Sequence, residues 1–334
     1  MAGVTEPTPE LAEPILAEDD DYDADSAIGT ESITSSTTSI AESIYKHRHE
    51  NGRTYHAYKE GKYILPNDEG ENDRLDLQHH LSLLTTGGKL FLCPAGKENK
   101  LHRVLDVGTG TGIWAIDFAD EHPESEVLGV DLSPIQPKYI PPNLTFQIDD
   151  IEEPWNFSSK FDFIYARMMI GSLADWPRFF EQAYENLAPG GFIEMFDDPF
   201  PPLNDDNTWP ENSALKRWGE LILSGCAKFG RPADATYHYE EQLKAAGFIN
   251  YGKALYKWPT NRWPKDKHLK ELGMWTYEDI CGGISGISMA IFTRAHGWTA
   301  DEVEAFLVDV RKEFKDTRIH TYFPVHIVWA QKPY

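Results

Sequence analysis

Cysteine is scarce in this sequence, and long apolar runs are missing. Only three cysteines occur among 334 residues, Cys93, Cys226 and Cys281. This odd, widely spaced set excludes a disulfide scaffold, favours a reducing compartment and lacks the ligand spacing of a structural zinc site. No apolar run approaches the roughly 18 residues of a membrane span, and the N-terminus lacks a signal-peptide pattern. We therefore expect a cytoplasmic or nuclear protein that is neither secreted nor membrane-bound.

Positive charge is also in short supply. The chain has 31 Lys and Arg against 54 Asp and Glu, a net charge of −23 at pH 7. Residues 1–45 contain eleven acidic residues and no Lys or Arg, so about half of the imbalance is confined there. The other 289 positions still carry a net charge of −12, which argues against a phosphate-binding surface. Direct binding to nucleic acid is accordingly not expected.

The first 44 residues combine acidic, Pro-containing and Ser/Thr-rich stretches. Such a segment cannot bury enough apolar area to offset the entropy lost on ordering. We predict a disordered acidic tail over residues 1–44. The alternative is a phosphorylated or partner-binding arm, because hydroxyls beside acidic residues suit acidophilic kinases.

Short apolar segments alternate with helical ones through the middle of the chain. Predicted strands cover residues 103–107, 126–130, 144–148, 161–165 and 191–196, with helices over 113–121 and 176–187. A Pro-Gly-Gly turn within residues 187–191 is predicted to precede the fifth strand. This alternation indicates βαβ units and a mostly parallel sheet. Outside this block, we predict helices over 71–85, 212–229 and 239–246, strands over 250–258 and 321–331, and a mostly helical stretch to Phe314 interrupted by a Gly-rich break at 282–286.

The most informative segment joins the first predicted strand to its helix. It reads Val104-Leu105-Asp106-Val107-Gly108-Thr109-Gly110-Thr111-Gly112, where open α/β sheets bind nucleotides. The third glycine comes one residue too early for a G-x-G-x-x-G dinucleotide motif, and no P-loop is present. The pattern D-x-G-x-G-x-G is instead similar to the loop of S-adenosylmethionine (SAM)-dependent methyltransferases. Its glycines let the backbone approach the ligand, and the carboxylate of Asp106 suits a sulfonium cation.

Further acidic residues follow this loop in the order that a SAM site requires. Asp131 ends the second strand, beside Leu132, where a carboxylate can accept hydrogen bonds from both ribose hydroxyls. Asp149, Asp150 and Ile151 follow the third strand, where an acidic side chain and a backbone N–H can contact the adenine edge. The predicted cofactor-binding residues are Asp106, Gly108, Thr109, Gly110, Gly112, Asp131, Leu132, Asp149, Asp150, Ile151 and Arg167. No metal ligands are predicted, since no compact acidic cluster follows the fourth strand.

Several blocks around the loop are more specific than the fold itself. They cover residues 51–56, 63–69, 73–76, 110–116 and 129–137. In these blocks the sequence resembles the LaeA-like methyltransferases of filamentous fungi, from about Tyr45 to the C-terminus. Many members of that family look like small-molecule methyltransferases of secondary metabolism. Its founding member is a nuclear regulator that associates with velvet-domain proteins, so a velvet-type partner is an alternative implication.

The resemblance implies a Rossmann-like class I SAM-dependent methyltransferase fold of the α/β class. We expect a seven-stranded, mostly parallel sheet whose antiparallel last strand lies between earlier strands, with a helical lid and an inserted cap. The predicted domain covers residues 45–334, divided into lid helices (45–100), a SAM-binding core (101–198), a helical cap with a late strand (199–314) and the last strand (315–334). The expected reaction is methyl transfer to an O or N atom of a small molecule.

Residues on the acceptor side are less well determined by the sequence. The lid candidates are Tyr55, Tyr63, Glu71, Arg74 and His79, for which lid packing and ion pairing are the alternative. Arg167 either holds an acidic acceptor or fixes its loop through an ion pair. Met168 and Met169 either line an apolar acceptor pocket or pack in the core. A general base is needed only if the acceptor must lose a proton, and no catalytic residue is identified.

Overall fold

The computed structural model describes residues 47–56, 58–59, 61–97 and 100–334. The predicted tail, residues 1–44, lies outside this part of the chain. The described chain begins with an antiparallel hairpin of β1 (His47–Glu50) and β2 (Arg53–His56), and α1 (Glu69–Thr86) follows. The carboxylate of Asp68 accepts a hydrogen bond from the Glu71 N–H at the start of α1, and Gly87 ends the helix in the left-handed conformation. A strap of residues 61–67 joins the hairpin to α1.

A mixed sheet forms the centre of the described chain. Its longer strands are β3 (Arg103–Val107), β4 (Glu126–Asp131), β5 (Leu144–Ile148), β6 (Phe161–Arg167), β7 (Leu187–Asp197), β9 (Ile249–Pro259) and β10 (Thr321–Gln331). The order is β5-β4-β3-β6-β7-β10-β9; strands β3 to β7 pair in parallel, whereas β10 runs antiparallel to both neighbours. This confirms the expected fold, including a last strand inside the sheet.

Two details of the sheet differ from the prediction. A two-residue strand, β8 (Leu203–Asn204), adds an eighth member, because the connection after β7 crosses the end of β10 and pairs with Thr321 and Tyr322. The Pro-Gly-Gly turn does not precede the fifth strand. Strand β7 already begins at Leu187, and a register shift opposite Phe161 and Phe163 accommodates the irregular segment.

Helices cover both faces of this sheet. They are α2 (Ile113–Glu121), α3 (Trp176–Asn186), α4 (Ala214–Lys228), α5 (Tyr239–Ala246), α6 (Lys267–Thr276), α7 (Gly282–Ala290) and α8 (Ala300–Lys315). On one face, Trp114 and Phe118 of α2 pack with Phe163 of β6. On the other face, Phe179 and Phe180 of α3 pack with neighbouring strands. Among the described residues, no helix is long and apolar enough to cross a membrane.

The predicted Gly-rich break at residues 282–286 was wrong. These residues lie in α7, which is flanked by the π-helical turns Tyr277–Cys281 and Ile291–Ala295. A Cβ on Gly283 would lie 2.2 Å from Cδ of Arg74, and one on Gly286 would lie 2.6 Å from Nη1 of Arg53. These glycines therefore make room for two arginine side chains from the N-terminal region, and they do not interrupt the helix.

The helices α4, α7 and α8 form a cap beyond the carboxyl end of β7. Trp218 of α4 lies in one apolar cluster with Leu307 of α8 and Phe323 of β10. Its indole N–H donates to Ser288 Oγ of α7 at 2.8 Å, which satisfies the polar atom inside this core. The cap and α1 thus stand over the ends of the parallel strands, where a cavity opens.

Candidate functional site

The cavity has a polar end and an apolar end. We call the loops after β3, β4 and β5 the polar end; it is lined by Gly108, Thr109, Gly110, Asp131, Leu132, Asp149, Asp150 and Ile151. We call the cap side the apolar end; it is lined by Met168, Phe200, Ile222, Cys226, Ile280, Ile287 and Ile291. Arg167 also lines the cavity. Nine of the eleven predicted cofactor residues are therefore brought together, and Asp106 and Gly112 are not among the lining residues.

The glycine loop presents backbone to the cavity. Gly108 and Gly110 have φ values of +69° and +57°, a region that side chains other than glycine's rarely adopt. A Cβ on Gly108 would lie 2.3 Å from Sδ of Met169, so this position leaves no room for a side chain. The N–H of Gly110 donates to Oδ2 of Asp131 at 2.9 Å, which ties the loop to the end of β4.

Asp106 and Gly112 shape this loop from outside the cavity. The buried carboxylate of Asp106 accepts a hydrogen bond from Oγ1 of Thr109 at 2.5 Å, and burial raises its pKa to about 6. Gly112 caps α2 with a φ of +83°, and a Cβ there would lie 2.3 Å from Cζ of Phe146. Both residues hold the loop in place, one through a hydrogen bond and one through close packing against β5.

Asp131 is the best-placed ribose acceptor. Oδ2 accepts from the Gly110 N–H, and Oδ1 accepts from the Ser133 N–H at 2.8 Å. Burial raises the pKa of Asp131 to about 6 although these donors favour the ionised form. The Leu132 backbone is a third donor. A carboxylate has about four lone-pair sites, so at least one remains for a ligand hydroxyl.

The strap is fastened across the polar end by ion pairs. Lys62 of the strap contacts the buried carboxylate of Asp150, and its Nζ lies 3.6 Å from Oε2 of Glu152. Asp149 accepts a hydrogen bond from the backbone N–H of Asp150 at 2.8 Å. Sequence reasoning missed Lys62, because an isolated lysine in an irregular segment carries no local signal of its partner 88 positions away.

Of the five lid candidates, two line the cavity. They are Tyr63 and Arg74; Tyr55, Glu71 and His79 lie outside its lining. Arg74 is buried and donates to Glu71 Oε1 at 2.7 Å and to Asp279 Oδ1 at 2.7 Å. Burial raises the pKa of Asp279 to about 6 against the opposing charge of Arg74. The arginine therefore connects α1 to the cap.

In the described chain, Arg167 forms no ion pair with a carboxylate and contacts a histidine instead. Its Nη1 lies 3.0 Å from Nδ1 of His79, and Nε2 of His79 lies 2.8 Å from Oδ2 of Asp117. Burial and the charge of Arg167 lower the pKa of His79 to about 4. The imidazole is thus neutral, accepts from Arg167 at Nδ1 and donates to Asp117 at Nε2. His79 holds Arg167 at the cavity wall.

The apolar end contains one acidic residue that the sequence reasoning missed, Asp198. It directly follows β7, in the tripeptide Asp197-Asp198-Pro199. Carboxylates at the carboxyl end of a buried parallel strand face the ligand edge of an open α/β sheet, and this was the available signal. Met168, with a φ of +56°, and Met169 both line the cavity as well.

The residues of the polar end fit SAM. Asp131 has a free lone pair for the ribose, and the loop at Gly108 and Gly110 leaves bare backbone beside it. The carboxylates of Asp131, Asp149 and Asp150 suit a cationic ligand, and Gly110 tolerates no bulkier residue without strain. When bound, SAM supplies an electrophilic methyl group on sulfur.

Comparison with known proteins agrees with this geometry. A family described as methyltransferase domain matches residues 77–250. The methyltransferase pytC of Aspergillus terreus is 39% identical over 301 residues, 90% of this chain and 92% of that protein. The secondary metabolism regulator LAE1 of Cochliobolus heterostrophus is 38% identical, covering 85% and 94%. The protein-methionine methyltransferase laeA of Emericella nidulans is 34% identical, covering 85% and 76%. The chain belongs to the LaeA-like family of SAM-dependent methyltransferases.

Proposed function

We propose that this enzyme transfers the methyl group of SAM to an O or N atom of an apolar small molecule in fungal secondary metabolism. The observation that carries the proposal is the apolar end of the cavity, where isoleucines from three segments of the cap face Met168. Such a wall buries the carbon skeleton of an acceptor and excludes water from the transfer. The relative pytC, a methyltransferase by name, supports an enzymatic role.

In this proposal the polar end binds the cofactor. Asp131 accepts hydrogen bonds from the ribose hydroxyls, and Asp149, Asp150 and the Ile151 backbone contact the adenine. Gly108, Thr109 and Gly110 pass beneath the methionine part, supported by Asp106 and Gly112. The chain's own contribution to the rate is to hold the two reactants in line and to keep the site dry.

The second candidate is a regulator of secondary metabolism. The names of three relatives favour it. LAE1 of Cochliobolus heterostrophus and laeA of Aspergillus fumigatus are described as secondary metabolism regulators, and laeA of Emericella nidulans is described as a protein-methionine methyltransferase. In that case the protein would work in the nucleus with a velvet-type partner, and its methyl acceptor would be a protein.

Metabolite profiling of a strain lacking the gene separates the two candidates. Accumulation of one desmethyl compound, converted by the purified protein with SAM, supports the biosynthetic function. Simultaneous loss of several unrelated products contradicts it and supports the regulator. The matched control is complementation of the deletion strain with the Asp131→Ala variant. If the phenotype depends on SAM binding, the wild-type gene restores the metabolites and this variant does not.

A further inference from the structure

Asp198 is a buried carboxylate that lines the cavity and accepts no hydrogen bond from another residue of the described chain. Only 5% of the residue is exposed, and it lines the cavity two positions before Phe200 of the apolar end. Within the described chain, its own backbone N–H is the single hydrogen-bond donor to this carboxylate. A buried carboxylate usually has partners, so one left open towards a ligand cavity points to a ligand.

The preceding residue, Asp197, has a clear structural role and serves as a comparison. Asp197 accepts hydrogen bonds from the backbone N–H of Met169 at 2.5 Å and of Ile170 at 3.2 Å, and from the Tyr239 hydroxyl at 2.8 Å. These three donors fix the loop after β6. Asp198 lies one position beyond the end of β7 and lines the cavity, and no other described residue donates a hydrogen bond to it.

The other titratable groups lining the cavity are either engaged or unable to take a proton. Asp131, Asp149, Asp150 and Glu152 each accept hydrogen bonds from described residues. Burial raises the pKa of the Cys226 thiol to about 12, and burial also raises the pKa of Tyr63. Both therefore remain protonated at neutral pH. Among the described residues that line the cavity, Asp198 is then the carboxylate without a donor from another residue.

We propose that Asp198 is the catalytic base of the reaction and that the acceptor is an apolar molecule bearing a hydroxyl group. This inference rests on the proposed function, and it narrows the acceptor atom from oxygen or nitrogen to oxygen. The hydroxyl donates to Asp198, and its proton passes to a carboxylate oxygen as the O–CH3 bond forms. The S–CH3 bond breaks with its electron pair kept on sulfur, which yields S-adenosylhomocysteine. The neutral Asp198 then returns the proton to water.

An open carboxylate at the cavity wall is needed more by a hydroxyl acceptor than by an amine, because a neutral amine attacks the methyl group through its lone pair without first losing a proton. The carboxylates of the polar end are suited to the sulfonium cation of SAM, and Arg74 and Arg167 also line the cavity. A protonated amine would add a further positive charge in an apolar, water-poor space, whereas a hydroxyl is neutral. A neutral hydroxyl also pairs with a single carboxylate through one hydrogen bond.

Several charged groups act on Asp198 from neighbouring elements. Burial raises its pKa well above the ordinary value, and the charges of Asp279, on the turn before α7, and of Asp197 act in the same direction. Arg74 on α1 opposes them. Glu71 and Gln78 of α1 bind Arg74 and Asp279, and the Cys226 thiol of α4 stays neutral. A carboxyl with a raised pKa is better matched to a hydroxyl than an ordinary carboxylate is.

A pair of probes tests the hydrogen bond without turnover. Calorimetry on the full chain saturated with S-adenosylhomocysteine compares 2-naphthol with its methyl ether, 2-methoxynaphthalene. The expected result is a preference for the naphthol of roughly tenfold or more, which Asp198→Leu removes. Ile287→Val, which trims an apolar residue of the same lining, is the matched control; it weakens both probes alike and keeps the preference. Equal affinities in the wild-type protein, or no binding of either probe, overturn the proposal.

Kinetics test the proton transfer with the desmethyl compound that the deletion strain accumulates. Asp198→Asn is expected to lower kcat by about 10²-fold or more while SAM affinity stays within about threefold. The acid limb of the wild-type kcat profile, measured at saturating SAM, disappears in this variant. A wild-type kcat profile without an acid limb, or an unchanged kcat in Asp198→Asn, shows that Asp198 is not the base.

The two proposals fail in different ways. If no single compound accumulates in the deletion strain, the biosynthetic function is wrong, and the naphthol comparison still decides whether Asp198 accepts from a hydroxyl. If the compound accumulates and is methylated equally well by Asp198→Asn, the function stands and Asp198 is not its base.

Discussion

At the polar end of the cavity, the wall consists largely of backbone that is held by hydrogen bonds. At the apolar end, it consists of side chains from segments that are far apart in the sequence. Gly108 and Gly110 lie in one turn, and Asp131 is tied to it by a single hydrogen bond. At the apolar end, Ile222 comes from α4, Ile280 from the turn before α7 and Ile287 from α7 itself. One end is thus built locally and the other only after the chain has folded.

The carboxylates at the two ends differ in the number of hydrogen-bond donors that the chain supplies to them. At the polar end, Asp131, Asp149 and Asp150 each have donors within the described chain, so their positions are fixed before a ligand arrives. Towards the apolar end, Asp198 has no donor in the described part of the chain beyond its own N–H. The cofactor side is therefore preorganised, and the acceptor side leaves a hydrogen bond for the acceptor to complete.

The largest expected effect is at the glycine loop. Gly110→Val should abolish measurable SAM binding, because it places a branched side chain at a φ of +57° in the wall of the cavity. Calorimetry with SAM measures the loss, and the melting temperature reports folding. Gly297→Val is the control, since Gly297 has a similar φ of +73° with open space around it and lies outside the cavity lining. Retained binding in Gly110→Val would show that the polar end is not preorganised as described.

A smaller effect is expected at Asp131. Asp131→Ala removes the ribose hydrogen bonds, each worth about 1.5–3 kcal/mol when the acceptor is charged, so SAM affinity should fall roughly 10- to 100-fold or more. The measurement is calorimetry at pH 7.5, with Asp120→Ala, an exposed position on α2, as the control. An Asp131→Ala protein that binds SAM as tightly as the wild type would remove Asp131 from the site.

The pH dependence of SAM binding should be smaller still. Since burial raises the pKa of Asp131 to about 6, the carboxylate is mostly ionised at pH 7 and mostly protonated at pH 5. The protonated form accepts fewer hydrogen bonds, so affinity should fall about tenfold as the pH drops from 7 to 5. Calorimetry across this range measures the slope, and Asp131→Asn should flatten it. A wild-type affinity that is constant with pH would mean that Asp131 does not bind the ribose through its ionised form.

The contrast between the ends also explains how much could be predicted from sequence. The loop from Asp106 to Gly112 is seven consecutive residues, and β3 and α2 were predicted with their observed bounds. The ion pair of Arg74 with Asp279 joins positions 205 residues apart, and no local pattern reports it. The glycines of α7 were misread for the same reason, because the arginines that require Gly283 and Gly286 come from the other end of the chain.

The smallest expected effect concerns residues 1–44, which belong to neither end of the cavity in the proposed function. Their composition has no apolar pattern that would dock on the fold, so a protein that starts at Tyr45 should keep its melting temperature, SAM affinity and turnover near the full-length values. The measurements are thermal unfolding, calorimetry with SAM and methylation of the compound from the deletion strain. If turnover collapses while SAM affinity and folding persist, the acceptor end extends into this segment. If turnover holds but a binding partner is lost, the acidic, hydroxyl-rich segment serves regulation, and the second candidate function gains over the first.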